Sequence, residues 1–149
     1  MTMKRTGGAF VLMALSGALQ ANSDSLTLAG YARETVPGTA MSAAYLSIQN
    51  DGAAERQLRR VELVGEGASA ELHTTVKDGD VSRMRPLAYL KVPAGGKVEM
   101  APGAVHLMLH GVHLRRGEAL PLRLFFANGD EYEISVPVRG LTGEQHHHG

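Results

Sequence analysis

The sequence predicts an all-β domain built as an antiparallel β-sandwich, and two features indicate this fold. From Ser25 onward, short alternating or β-rich runs follow one another, and no helical period extends beyond two turns. Turn residues separate these runs at close spacing, which is typical of two packed sheets or of a sheet closing toward a barrel. The breaks are Pro37-Gly38, Asn50-Asp51-Gly52, Asp78-Gly79-Asp80, Gly95-Gly96, Pro102-Gly103 and Asn128-Gly129-Asp130.

Nine strands are predicted between these breaks, over residues 26–34, 43–49, 56–64, 70–74, 87–92, 97–100, 105–110, 122–127 and 131–138. The last two form the clearest hairpin, because Asn128-Gly129 suits the positive φ angles of a type I′ turn. Alternation along this hairpin predicts which side chains face the core. They are Leu122, Leu124 and Phe126 on one strand, and Tyr132, Ile134 and Val136 on its partner.

The two ends of the chain differ from the domain that they flank. Residues 1–21 combine Lys4-Arg5, an apolar run and small residues near Ala18 and Ala21, as a secretory signal peptide does. The apolar run is shorter than the roughly 20 residues of a membrane-spanning helix, so we expect export without membrane insertion. We therefore predict a signal peptide at 1–21, a domain at 22–140 and a flexible tail at 141–149.

Charge and cysteine content exclude several functions. Loss of residues 1–21 leaves 13 Lys and Arg against 15 Asp and Glu, a formal charge of −2, which argues against a nucleic-acid partner. The sequence has no Cys, so thiolate nucleophiles, iron–sulfur clusters and Cys-based zinc sites are excluded. No Gly-x-Ser-x-Gly or His-Glu-x-x-His motif indicates a hydrolase. We expect a monomeric binding protein, not an enzyme.

Four side chains form the one grouping that indicates specific chemistry. His106 and Met108 are two residues apart on a predicted strand, so imidazole and thioether point to the same face. His73 and Met84 lie upstream, and if the segments around the Asp78-Gly79-Asp80 turn fold back as a hairpin, these two residues become neighbours at one end of the sandwich, where we expect the site. Imidazole and thioether are donors that copper(I) prefers. Protons compete for imidazole, so we expect affinity to fall as the pH drops through about 6.5.

The remaining His and Met residues are given weaker assignments. His110 shares the face of His106, and His113 follows the Gly111 turn. Each is either an accessory or transfer ligand, or a polar neighbour or surface residue, and the second interpretation is favoured because the set of four ligands is already complete. Met41 and Met100 are assigned to the core or its rim. In the tail, His146, His147 and His148 could capture Cu(II) or zinc, or could be a purification-tag remnant.

The complete spacing resembles a known family. His, ten residues, Met, twenty-one residues, His, one residue, Met is the motif of the PCuAC periplasmic copper(I) chaperones, and all four positions match. The resemblance extends over roughly residues 26–138. The surrounding matches are Ala43-Ala44-Tyr45-Leu46, Asn50, Glu71-Leu72-His73, Met84-Arg85-Pro86, Val92-Pro93-Ala94-Gly95-Gly96, Pro102-Gly103 and His106-Leu107-Met108-Leu109. One departure is Thr74, where some members carry a Met.

This resemblance implies a cupredoxin-like, Greek-key β-sandwich with an exposed Cu(I) centre at His73, Met84, His106 and Met108. It also implies a periplasmic carrier that passes copper to the copper-site subunit of cytochrome c oxidase, directly or through a thiol-bearing assembly factor. One alternative is a general periplasmic protein that sequesters copper or zinc without an oxidase partner. A redox cupredoxin, which normally needs a Cys ligand, and an adhesion sandwich with incidental His and Met residues are the others.

Overall fold

A computed structural model describes residues 25–65 and 67–141 of the protein. The regular structure of these residues consists of ten β-strands. They are β1 (Leu26–Arg33), β2 (Met41–Asn50), β3 (Arg56–Leu63), β4 (Ser69–Asp78), β5 (Val81–Pro86), β6 (Leu90–Val92), β7 (Lys97–Glu99), β8 (His106–His110), β9 (Ala119–Phe126) and β10 (Glu131–Arg139). None of the described residues forms a helix long and apolar enough to cross a membrane.

The strands form two layers that share one hydrogen-bonded path. The first layer has the order β5-β4-β8-β2-β1, with β7 also paired to β2, and the second has the order β10-β9-β3-β6. All pairs are antiparallel except the junction between the layers, where the end of β10 runs parallel to β1 at Val138↔Ala32 and Arg139↔Arg33. The path therefore turns from one layer into the other at this parallel contact.

The core lies between the layers and follows the alternation of the strands. Leu122, Leu124 and Phe126 of β9 are buried, as predicted. Their partner strand is less deeply buried than predicted, because Val136 is buried whereas Tyr132 and Ile134 only pack against the core. The first layer contributes buried aliphatic side chains from its central strands: Ala44, Leu46, Ile48, Leu72, Leu107 and Leu109.

All nine predicted strands are present, with ends that differ from the prediction by up to four residues, and three further details differ. Strand β5 was not predicted, the 87–92 segment is a strand only over Leu90–Val92, and the final turn is of another type. The Gly129 amide donates to the Phe126 carbonyl at 3.0 Å, so the turn centres on Ala127-Asn128 and Gly129 follows with a φ of 96°. This is the three-residue hairpin loop, not the two-residue type I′ turn.

Asn50 is a fully buried polar residue at the end of β2, and it ties three chain segments together. Its side-chain amide donates to the carbonyls of Ala54, Val92 and Pro93 at 2.9, 3.2 and 3.2 Å. Its side-chain oxygen accepts from the Gly52 amide at 3.0 Å. The loop after β2 is thereby attached to the end of β6.

We expect Asn50→Ala to lower the free energy of unfolding by about 2–4 kcal/mol, because several backbone groups would lose their partner in a buried place. Urea denaturation measures the change. The control is Gln49→Ala, since Gln49 is exposed and bonds only to the Asp51 side chain, and its effect should stay within about 0.5 kcal/mol. Equal effects of the two substitutions would contradict a structural role for Asn50.

Candidate metal centre

Strand β8 supplies the centre of the candidate site through its alternation. Leu107 and Leu109 are fully buried in the core, so His106, Met108 and His110 lie on the opposite, outer face of the first layer. The core contacts of the two leucines hold the strand in place. The three potential donors are therefore presented by a rigid element.

The neighbouring strand β4 places a second imidazole directly across from the first. His73 pairs with His106 in the antiparallel register, and Glu71 pairs with Met108. Directly opposed side chains on one face have Cβ atoms about 4.5–5.5 Å apart. The two imidazole ring centres are 6.0 Å apart, with planes inclined at 62°.

The hairpin on which the predicted site depends is present, and it brings Met84 to the site. Strands β4 and β5 pair around the Gly79 turn, with Thr75 opposite Met84. From this edge strand the Met84 side chain reaches across β4, so that its Sδ lies 3.2 Å from Nε2 of His106. Met84 is 54% exposed, whereas His106 is only 5% exposed.

The hydrogen bonds of His106 fix its tautomer. Nδ1 lies 2.9 Å from the carbonyl oxygen of Ala104, which can only accept, so Nδ1 carries the hydrogen. In the neutral ring Nε2 then has no hydrogen, and the thioether of Met84 has none either. Two lone-pair donors thus face each other at 3.2 Å.

His73 is held in a comparable way by a carboxylate. Its Nε2 donates to Oε1 of Glu71 at 3.2 Å, which leaves Nδ1 as the bare nitrogen of the neutral ring. This Nδ1 is buried and has no hydrogen-bond partner among the described residues. A buried acceptor without a partner is costly in a folded protein, so it is a position where a metal ion would be favourable.

Met84 and His106 are therefore in contact, the ring of His73 lies beside that of His106, and the fourth predicted ligand is placed by register. Met108 is half-buried one step further along β8, between Glu71 of β4 and Ala43 of β2. The separation of His106 from Met108 along the strand is roughly 7 Å. A flexible thioether can span part of that distance.

The other His and Met residues are distributed as follows. Met100 is buried in the core, whereas Met41 is exposed on the outer face and not in the core. His110 lies on the same face opposite Met41, and His113 is exposed in the loop after β8. The tail histidines His146, His147 and His148 and the predicted signal peptide lie outside the described residues.

The surroundings offer few anionic donors to a harder metal. Within residues 25–65 and 67–141, no group of three His, Asp or Glu side chains is arranged to hold an ion. Burial raises the pKa of the neighbouring Tyr45 phenol, against a smaller opposing effect of Arg33, so this group stays neutral. The candidate site therefore consists mainly of neutral nitrogen and sulfur donors.

Two contributors to the site were missed by the sequence reasoning. The Ala104 carbonyl acts through the backbone and has no signal in the sequence. Glu71 has a signal in the sequence, because it precedes His73 by two residues and therefore lies on the same face of the strand.

Residues 26–138 match the family model described as "Putative lipoprotein LpqE-like". The chain belongs to the LpqE-like family. A related sequence is "Putative lipoprotein Lxx21020" of Leifsonia xyli subsp. xyli, to which this LpqE-like chain is 31% identical over 113 residues. That match covers 71% of this chain and 65% of the relative, so the matched region is about two thirds of the relative's length.

Solved structures with a similar fold include PCuAC domains. The copper-bound PCuAC domain from PmoF2 has a TM-score of 0.65 at 19% identity, covering 78% of this chain and 94% of that domain. The solution structure of CuI-DR1885 from Deinococcus radiodurans has a TM-score of 0.61 at 22% identity, covering 82% and 85%. The expected PCuAC-type, cupredoxin-like β-sandwich is thereby confirmed for the LpqE-like chain.

The tautomer of His106 can be measured directly. We expect a long-range ¹H–¹⁵N spectrum of the apo protein in mildly alkaline buffer to show the Nδ1–H form, because the Ala104 carbonyl accepts that hydrogen. His113, exposed in a loop, serves as the reference and should show an average of both tautomers. An Nε2–H form of His106 would contradict the hydrogen bond from Nδ1 to the Ala104 carbonyl.

Proposed function

We propose that the protein is an exported copper(I) chaperone. It binds one Cu(I) tightly through His73, Met84, His106 and Met108 and releases the ion to an acceptor by ligand exchange. No chemical transformation of copper is required, so the function is carriage and not catalysis. In this role the ion is the cargo of the protein.

The observation that carries the proposal is the contact between Nε2 of His106 and Sδ of Met84 at 3.2 Å. With metal–nitrogen and metal–sulfur bonds of about 2.0 and 2.3 Å, as in zinc sites, tetrahedral geometry separates two donors by about 3.5 Å. The two atoms are therefore close to the separation that chelation of one ion requires. Little rearrangement of this half of the site is needed.

The chemistry of the donors favours copper(I) over harder ions. Thioethers are soft ligands, and the orphaned Nδ1 of His73 supplies an intermediate one. A neutral donor set leaves the bound ion with its single charge, which is less costly to bury than a double charge. Because a thioether does not form disulfides, the same donors persist in an oxidising compartment.

The comparisons support the cargo and the compartment. Two domains of similar fold are described as copper-bound or CuI-bound, and a related sequence is described as a lipoprotein, a class of exported protein. We extend both properties to this chain as part of the proposal. The oxidase copper site, reached directly or through a thiol-bearing factor, is the acceptor that the PCuAC resemblance favours.

Replacing two ligands should abolish tight binding. We expect wild-type protein to retain one Cu(I) against bicinchoninate under reductant, and a Met84→Leu, His106→Ala double variant to bind far more weakly. The loss should exceed the roughly 10–100-fold that removal of an outer hydrogen-bond partner causes.

The matched control is Met100→Leu, which exchanges a buried methionine outside the site for a residue of similar volume. Its copper affinity should equal that of the wild type. If the double variant keeps wild-type affinity, or the wild type retains no ion, copper carriage by these residues is refuted.

Glu71 should contribute to affinity by fixing the ring of His73. We expect Glu71→Ala to weaken Cu(I) binding about tenfold, as loss of a partner to a ligating histidine does. Glu62→Ala is the control, because Glu62 lies on β3 in the other layer and bonds to Arg60. Equal affinity of the two variants would exclude a role of Glu71 in ligand orientation.

A further inference from the structure

The outer face around β8 carries three rows of side chains across β4, β8 and β2, and we call it the donor face. The first row contains His73 and His106, which Met84 joins from β5. The second row is made by Glu71, Met108 and Ala43, and the third by Ser69, His110 and Met41. Only the first two rows contain residues of the candidate metal centre.

The third row repeats the donor chemistry of the first. Met41 is directly opposite His110, so a thioether and an imidazole have Cβ atoms about 4.5–5.5 Å apart. Both are open to solvent, at 42% exposure for Met41 and 40% for the His110 side chain. A large apolar side chain exposed on a central strand contributes little to packing.

Met108 lies between the two rows and can serve both. Along β8 it is about 7 Å from His106 on one side and about 7 Å from His110 on the other. Its Sδ is carried on a flexible side chain, and Ala43 beside it is small. Turning the Met108 side chain therefore offers the same sulfur to either row.

A harder metal fits the third row less well. Oε1 of Glu71 is 3.7 Å from Nε2 of His110, beyond hydrogen-bond distance, and the same oxygen already accepts from His73 at 3.2 Å. The described residues contain no group of three His, Asp or Glu side chains suited to a metal ion. The thioethers of Met41 and Met108 are the remaining donors, and they select copper(I).

We propose that Met41 and His110, with Met108 shared, form a second and weaker Cu(I) position, which we call the outer position. The ion enters and leaves the candidate metal centre, the inner site, through this position. This inference rests on the proposed function, because it assigns the route of the same cargo. The ion moves by ligand exchange, in which each new donor binds before an old one leaves, and copper stays in the +1 state.

Space for an incoming donor lies next to this position. An open cavity of about 380 Å³ borders Met41 and Met108, and its lining is mostly apolar. A side chain of an acceptor can approach the exposed row there, whereas His106 is shielded. Both outer ligands are therefore open to an acceptor, whereas the inner site combines the exposed Met84 with the shielded His106.

The binding experiment isolates the outer position in the full chain. His146, His147 and His148 are changed to Gln throughout, so the tail cannot hold the ion. With Met84→Leu and His106→Ala added, we expect one weakly bound Cu(I) per chain in bicinchoninate titration. Adding Met41→Leu and His110→Gln should remove this residual binding, and adding His113→Gln instead should leave it unchanged.

The transfer experiment uses the intact inner site. With Met41→Leu and His110→Gln alone, the affinity for the first Cu(I) should stay within about twofold, a difference well below 1.4 kcal/mol. The stopped-flow rate of transfer to bicinchoninate should fall about tenfold, equivalent to a barrier higher by about 1.4 kcal/mol. Circular dichroism verifies that the variant is folded, and each single variant should show part of the decrease.

Each outcome bears on the inference. An unchanged transfer rate contradicts the proposal of an outer copper position. Residual binding that survives Met41→Leu and His110→Gln contradicts it as well. Residual binding that is lost with Glu71→Gln but kept with Met41→Leu also overturns it, in favour of a site for a harder ion. Failure of the proposed function is distinct, because the wild type itself would then retain no tightly bound Cu(I).

Discussion

The register between β4 and β8 is the constraint on which the candidate site depends. It sets His73 opposite His106, and a shift by one residue would turn one of the imidazoles into the core. Leu72, Leu107 and Leu109 oppose such a shift, because they are buried on the other face of the same two strands. The hydrophobic effect that folds the sandwich therefore also positions the imidazoles.

A second constraint is that the imidazoles of His73 and His106 each have one ring nitrogen that donates a hydrogen bond and one that carries no hydrogen. The Ala104 carbonyl and the Glu71 carboxylate accept the hydrogens, so the bare nitrogens are Nε2 of His106 and Nδ1 of His73. The two acceptors differ in kind, since one is backbone and the other an exposed side chain. Orientation of His106 is therefore tied to the fold itself, whereas that of His73 depends on one replaceable residue.

The sequence predicted the sandwich and the core hairpin well because both follow from alternation. Leu122, Leu124 and Phe126 alternate with polar residues, and burial of one face is sufficient to define such a strand. Strand β5 could not be found in this way, because all six of its residues are exposed and it exists through pairing with β4. The final turn shows a related limit, since Asn-Gly suits more than one loop length. The site residues were recognisable by spacing, but the orienting groups depend on tertiary contacts.

The unequal burial of the donors gives the site two parts with different mechanical properties. His106 is shielded on a strand that the core holds, whereas Met84 is exposed on the edge strand of a hairpin that pairs on one side only. Edge strands with exposed backbone open locally at lower free energy than central ones. In a carrier, this asymmetry lets the Met84 thioether leave the ion while the imidazoles keep it, which frees a coordination position for the donors of the outer position. A site enclosed equally on all sides would bind copper more permanently and would transfer it more slowly.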